Sequence, residues 1–493
     1  MSPLVGGPIV AARATPKYET LVVIPQERSF TSHCDASFRG TYHNAGRPLS
    51  LYATSSACTG LGDTPIEASV SLESTPSSDI LFWVEEIVTD GQLRAQSHGA
   101  PKIFIESVID SHQVSLSGSR TAPGKILWFS ETAAILSIPE DQISTLDMHL
   151  SPLWEAVRIP VDPLPIKAST ESDSDKRLRK ILSTVHFNPD ISSILSSISL
   201  ARMLFDIRWL TGEASDSPII SRHSFSDGAR VAAKWIRSKM EEYGAACEYM
   251  DFLEGFAPNI ICRYAANPDG NSTEATTAKG PRSRLFRKAC RPSQISRSLP
   301  PCSTRAPGGD DDGSGVVHLL SIARAISTKS VYFNVDVELC AFAGEEQGLL
   351  GSSAYAKKLY EDGEDILLMI QADMLAYHSS EEPMQLGLPQ AIGSPVAAEL
   401  VANISSIYAP ELTVGITAAC CSDHQSFWQY GMDTGFSATQ VFERAGDIID
   451  PMYHNSGDLS NRTNYDLNQV HSIAKVTLAT LLHTAGFGFS SDN

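Results

Sequence analysis

Cationic residues are scarce in this chain: 38 Lys and Arg stand against 57 Asp and Glu over 493 residues, a formal net charge of −19. Simple electrostatics therefore excludes nucleic acid and anionic membrane surfaces as partners, while suiting a protein that collects cations. Runs of about 18 apolar residues are absent, which excludes a membrane-spanning helix. The first residues, Met1 to Pro16, lack a basic start before an unbroken apolar core and are interrupted by Gly6, Gly7 and prolines, so they do not read as a signal peptide. The nine cysteines are an odd number at wide spacings with no CxxC pair, which indicates neither a structural metal knuckle nor a redox pair and leaves the redox compartment open.

What is present is ordinary globular composition, 42% hydrophobic and 19% charged. At about 150 residues per domain the length suggests two or three domains. Residues 1–165 carry short β-prone runs, LVVI (21–24), DILFWVEEIV (79–88) and KILWF (125–129), between Ser, Gly and Pro clusters, and read as a mostly β N-terminal extension or propeptide-like region. His33, His43 and His98 lie there without ligand spacing. The proline-rich VRIPVDPLP (157–165) and the polar STESDSDK (169–176) mark a boundary into a helical linker, 166–220, where 191–210 has apolar residues at three- and four-residue steps.

Residues 221–490 alternate helix and strand. A helix is expected over about 226–243 with Gly244 as its stop, strands at 247–253 and 259–265, a helix at 316–326, a long buried strand at 331–343, a helix at 347–363, a buried strand at 365–373, and helices at 397–409 and 466–486. Continuous apolar strands between helices predict an α/β fold, a mixed central sheet flanked by helices. Residues 275–304 break this pattern as an aberrant basic insert, with seven basic residues, no acidic ones, four prolines and two cysteines. Neither period 2 nor period 3.6 is visible there, as in a solvated loop or a lost core strand.

Two acidic turns carry the chemistry. GGDDDGSG (308–315) precedes a helix, AGEEQGLLGS (343–352) follows a strand, and Asp373 ends the next strand. In an open α/β sheet these positions share the carboxyl edge, where ligands bind, and converging carboxylates repel unless protons or a divalent cation neutralise them. DDD alone could cap a helix and EE alone could be a solvated first turn. Their joint occurrence after buried strands favours a metal site.

With QADM (371–374) and a late YHNSGD (453–458), these motifs resemble the zinc aminopeptidases of the aminopeptidase S and aminopeptidase Y type, co-catalytic di-zinc exopeptidases with fungal-type members. The steps of 35, 27 and 81 residues from Asp311 to Glu346, Asp373 and His454 are similar to that family's, and the likeness covers roughly residues 200–490. The resemblance implies a metallo-aminopeptidase acting on peptide substrates, secreted or vacuolar. Asp311 would bridge two zinc ions and often begins a cis peptide, Glu346 and His454 would complete one zinc, Asp373 would hold the other, and Glu345 would be the general base. Asp423 and His424 match a motif near the site as supporting rather than ligating residues. Ala419 stands where some relatives place an oxyanion-stabilising tyrosine. His318 reads as a core residue and His378 as a loop residue. Glycosylation at Asn271, Asn403 or Asn461 would follow from a secretory route. A glutaminyl cyclase-like transferase on the same fold is disfavoured by the peptidase forms of GGDDDGSG and EEQGLLGS.

One family element is missing. The resemblance requires a His-x-Asp motif shortly before GGDDDGSG as partner to Asp373, yet residues 255–317 contain no histidine, and CRPSQISRS (290–298) stands in the expected place. Two explanations are open: the segment is an out-of-frame or mis-spliced translation, or the site is impaired and the chain is a silent binding homologue. Reading the nucleotide sequence over residues 265–306 in all three frames separates them; a His-x-Asp codon run in another frame is the expected result under the first, and no such run under the second.

Overall fold

The computed structural model describes residues 20–26, 36–44, 47–55, 66–73, 75–76, 78–86, 124–150, 154–165, 172–267, 282–287, 306–419, 422–434, 436–446 and 450–490. His33, His98 and Asn271 lie outside them. The β-prone N-terminal runs form two antiparallel four-stranded sheets. One contains β1 (Thr20–Pro25), β2 (Ala36–Asn44), β3 (Arg47–Thr54) and β4 (Ala68–Ser71) in the order β2-β3-β1-β4. The other contains β5 (Asp79–Glu86), β6 (Lys125–Phe129), β7 (Ala133–Pro139) and β8 (Trp154–Arg158) in the order β6-β7-β5-β8.

The larger sheet is mixed. Its strands are β9 (Ala246–Met250), β10 (Asn259–Tyr264), β11 (Arg282–Arg287), β13 (Val337–Ala341), β14 (Ile366–Ala372) and β17 (Ala438–Val441), in the order β17-β14-β11-β13-β10-β9. Two small strand pairs complete the count among the described residues: β12 (Val331–Phe333) with β18 (Phe487–Phe489), and β15 (Gln385–Pro389) with β16 (Thr413–Thr417), form separate two-stranded ribbons, while β9 joins the main sheet through β10. The four strands β13, β11, β14 and β17 run parallel, so their carboxyl ends share one edge.

Nine helices of seven residues or more are described: α1 (Asp173–Leu182), α2 (Pro189–Leu195), α3 (Leu200–Leu210), α4 (Asp227–Glu242), α5 (Gly315–Thr328), α6 (Leu350–Glu361), α7 (Pro395–Tyr408), α8 (His424–Thr434) and α9 (Leu467–Ala485). Strand period 2 sorts the core. Leu339, Leu368 and Ile370 face α4, α5 and α9, whereas Cys340 and Met369 on the opposite face pack with Tyr355 of α6 and Phe427 of α8. That second layer also contains Tyr42, Trp83 and Val157, so apolar packing runs without a break from the N-terminal sheets onto the main sheet. The start of α4 follows its sequence signal: Ser226 Oγ accepts the Ala229 amide at 3.0 Å. Gly244 sits just beyond its end at φ 89°.

Three expectations change. The helical pattern over 191–210 is interrupted between α2 and α3, where Ser196 and Ser197 hydroxyls bond the carbonyls three residues back at 2.7 and 2.6 Å and compete with the helix ladder. The long strand expected over 331–343 is two strands in different sheets, because the polar Asn334–Asp336 turns its groups elsewhere: Asn334 N donates to Gly486 O and Asp336 Oδ1 accepts from Ala266 N. Most consequentially, the basic segment does not leave the sheet short of a strand. Arg282–Arg287 occupies the central slot, paired in parallel with both β13 and β14. Backbone ladders need no particular side-chain period, so pattern reading had no handle on it.

Cys247 and Cys262, opposed in register on β9 and β10, form a disulfide that their spacing had not suggested. It closes a 15-residue separation. In the chain-entropy account such a loop contributes about 3 kcal/mol, so Cys247→Ser should lower the unfolding free energy by about that amount in denaturant titrations under oxidising conditions. An unchanged midpoint would show that the strand pairing alone holds this edge.

Candidate metal centre

The first acidic turn is tied down by its outer two aspartates. Asp310 Oδ1 accepts the Ala376 amide at 2.7 Å and its Oδ2 the Tyr377 amide at 3.0 Å. Ser314 Oγ accepts Leu375 N at 2.9 Å, and Asp312 Oδ1 accepts Met374 N at 3.4 Å and Gly315 N at 2.8 Å. Four consecutive amides after Asp373 are thus held by this turn. The helix-cap reading of DDD is correct for Asp312 and leaves the middle residue, Asp311, for the site. The Asp311–Asp312 peptide is cis, as the resemblance implies.

A second tie comes from the late motif. Asp458 receives the Asp310 amide at 2.9 Å on each carboxylate oxygen and the Asp311 amide at 3.0 Å. Gly309 donates to the Asp458 carbonyl at 2.8 Å, and a Cβ on Gly309 would lie 2.8 Å from that same oxygen, so a side chain there would force the two turns apart. Arg222 completes the support from the other side, its guanidinium donating to Pro307 O at 2.9 and 3.1 Å.

These ties bring Asp311, Glu346 and His454 together. His454 Nε2 lies 3.3 Å from Asp311 Oδ2 and 3.6 Å from Glu346 Oε2. All three side chains are buried and each offers a ligand atom within 4.8 Å of the others. Donors bonded to a tetrahedral zinc at about 2.0–2.2 Å stand roughly 3.3–3.6 Å apart, so the observed spacing and the carboxylate–imidazole donor set fit that ion. His454 is held at φ 54°, in the left-handed region that non-glycine residues enter rarely and mostly where surrounding structure enforces it. The Tyr453 ring lies tilted against the His454 ring, at 32° with centroids 3.4 Å apart.

Glu345 precedes Glu346 on the turn between β13 and α6, and is buried, 3% exposed. Its carbonyl accepts the Gly348 and Leu349 amides at 2.8 and 2.7 Å, and Gly344 (φ 70°) and Gly348 (φ 114°) allow so sharp a turn. Asp373 directly follows β14 on the same sheet edge, buried, and stands outside the three-residue group. Asp423 and His424 are buried at the start of α8, and neither belongs to a metal-competent cluster among the described residues. His318 is a core residue, its Nε2 3.0 Å from Thr477 Oγ1, and His378 lies in a loop against Asp466 at 3.2 Å. His43 is buried beside Glu85. Ala419 packs with Met374, Phe442 and Tyr453.

The sequence reading missed the acidic cluster behind the site. Asp310, Glu443 and Asp450 are buried together, and Arg462 pairs with Asp450 at 2.5 Å and with Asp458 at 3.2 Å. Asp458 had been visible only as the last letter of YHNSGD, and nothing in spacing marks Glu443. Burial, then the neighbouring Asp310 and Asp450 charges, pushes the Glu443 carboxyl well above its ordinary range. Burial and Asp310 also push Asp450 to about 6 against the pull of Arg462. Asp458 too is pushed up by burial, against Arg462.

A doubly covered, mixed sheet with a buried carboxylate–imidazole cluster at the ends of its parallel strands is an α/β fold with a candidate metal site on its carboxyl edge. Residues 296–480 match peptidase family M28. It is 27% identical over 316 residues to leucine aminopeptidase 1 of Sclerotinia sclerotiorum, covering 60% of this chain and 74% of the relative. To a probable leucine aminopeptidase of Arthroderma otae it is 34% identical over 188 residues, 37% of this chain and about half, 48%, of the relative. The solved LapA aminopeptidase of Legionella pneumophila superposes with a TM-score of 0.59 at 17% identity over 83% of this chain and 99% of that one. LapB of the same organism gives 0.56 at 18% identity over 83% and 99%. At these identities the two structures speak for the fold.

The raised Glu443 carboxyl has a stability consequence. Above pH 4.5, the ordinary value of this side chain, an unfolded Glu443 has shed a proton that the folded protein keeps. Its contribution to stability therefore falls as pH rises from there toward its raised folded value. Glu443→Gln, permanently neutral and still able to donate to Asp310, should gain in melting temperature relative to the parent as pH rises from about 5 to about 8. A melting difference that stays constant with pH would show that Glu443 ionises freely in the fold.

Proposed function

We propose that the chain is a metallo-aminopeptidase that removes N-terminal residues from peptides using zinc held by Asp311, Glu346 and His454. The observation that carries this reading is the 3.3 and 3.6 Å spacing of their donor atoms at the carboxyl edge of the sheet. Zinc in such a donor set supplies Lewis-acid polarisation and an acidified water. Glu345, next to a ligand and held by its own tight turn, takes a proton from the attacking water and passes it to the leaving amine. The M28 match and the leucine aminopeptidase names of the fungal relatives support the reaction class.

The reading assigns one ion to the complete ligand set. Asp373 is kept as the ligand of a second zinc, which lacks the histidine partner that the resemblance requires. We keep the division of the chain into an N-terminal extension (1–165), a helical linker (166–220) and a catalytic region (221–490), with 275–304 as a departure within it. A secreted or vacuolar location and glycosylation at exposed Asn403 and Asn461 are part of the proposal, supported by the Cys247–Cys262 disulfide. Among the described residues no helix is long and apolar enough to cross a membrane.

Zinc content of the purified full chain and hydrolysis of a leucyl chromogenic amide test this. Glu345→Gln should keep zinc and lose about 10²–10⁴-fold in turnover, whereas His454→Ala should lose both. Full activity in Glu345→Gln would overturn the assignment of the base. Zinc bound without any hydrolysis by the parent chain would favour the silent binding homologue.

A further inference from the structure

The N-terminal sheets reach the site through one strand. Glu155, on β8, is buried, and its Oε1 accepts a hydrogen bond from the Tyr453 hydroxyl at 3.0 Å. Tyr453 is the residue whose ring lies against that of His454. Three positions along β8 the Arg158 amide donates to Gly348 O at 3.3 Å, and Gly348 N in turn donates to Glu345 O at 2.8 Å. Phe82 of β5 closes over Gly348 so tightly that a Cβ there would lie 2.8 Å from its ring. A single N-terminal strand therefore contacts both ligand-bearing turns, the one with Glu345 and Glu346 and the one with His454.

Glu155 is costly where it stands. It lies directly opposite Glu85 in the β5–β8 register, and both carboxylates are buried. Like charges directly opposed on neighbouring strands destabilise a sheet, and a buried carboxylate needs hydrogen-bond donors. An apolar residue would serve the sheet better. The hydroxyl of Tyr453 gives this carboxylate a purpose outside its own sheet.

We infer that the N-terminal β region is a permanent part of the catalytic unit and that Glu155 is a positioning residue, which fixes His454 through Tyr453. The inference rests on the reading of Asp311, Glu346 and His454 as a zinc site. A ring held from behind in one orientation presents its ligand nitrogen without an entropic loss on metal binding, and removing such outer partners typically weakens metal affinity about 10- to 100-fold. A segment shed on maturation would take that support with it.

The test uses the full chain and zinc affinity, measured by competition with a chromogenic chelator, alongside thermal melts that confirm folding. Glu155→Ala and Tyr453→Phe should each weaken zinc about 10-fold or more. Their double variant should be no worse than either single one, because both break the same link. Glu155→Gln, which keeps the acceptor oxygen, should bind zinc within about twofold of the parent, a rescue that a merely structural role would not give. Parent-like affinity in Glu155→Ala, or a Gln variant as weak as the Ala variant, overturns the inference. If the parent itself takes up no zinc, the metal reading fails instead. The bracing is then decided by the His454 imidazole resonances, which Glu155→Ala must shift and Glu155→Gln must leave in place.

Discussion

The site depends on one carboxylate that is not a ligand. Asp458 collects the Asp310 and Asp311 amides, which joins a turn near the middle of the chain to a loop nearly 150 residues later. Without a receptor these amides would be buried donors with no place in a helix or ladder, and each would carry a desolvation cost. With it, Asp311 and His454 are presented to one another by neighbouring pieces of backbone. Hydrogen bonding does here what a longer strand or a disulfide does elsewhere.

That arrangement concentrates negative charge. Asp310, Asp450, Asp458 and Glu443 surround a single guanidinium, Arg462, which reaches Asp450, Asp458 and, at 3.6 Å, Asp310. Four carboxylates beside one guanidinium are unfavourable in a low-dielectric interior, and burial pushes the Glu443, Asp450 and Asp458 carboxyls up, toward keeping their protons. The ligand cluster lies immediately beyond, with Asp311 adjacent in sequence to Asp310. In the proposed reading, protons on this wall and a cation at the neighbouring cluster would divide its neutralisation.

Much of this was legible in the sequence. The acidic turns with Asp311 and Glu346 stood out because carboxylates beside glycines at strand ends have few other uses, whereas His454 and the ligand roles came only with the family resemblance; the N-terminal β runs were readable because their apolar stretches are short and punctuated. The Asp310 and Asp458 ties were not, since an aspartate that accepts backbone amides looks the same in a sequence as one that meets water. The docking of β8 against the catalytic turns leaves no periodic trace either, because Glu155 reads as an ordinary surface residue. The reading of 331–343 as one strand failed on Asn334 and Asp336, whose polar groups find partners only in the folded chain.

The central place of β11 has a metric consequence. Strands β13 and β14 do not pair with each other; β11 lies between them and pairs with both. With neighbouring strands about 4.8 Å apart, the chain ends that carry Glu346 and Asp373 leave the sheet roughly 10 Å from one another. Arg282–Arg287 is in this sense a spacer gauge, whose backbone thickness sets the width of the mouth on which a peptide end would have to settle, whatever side chains it carries.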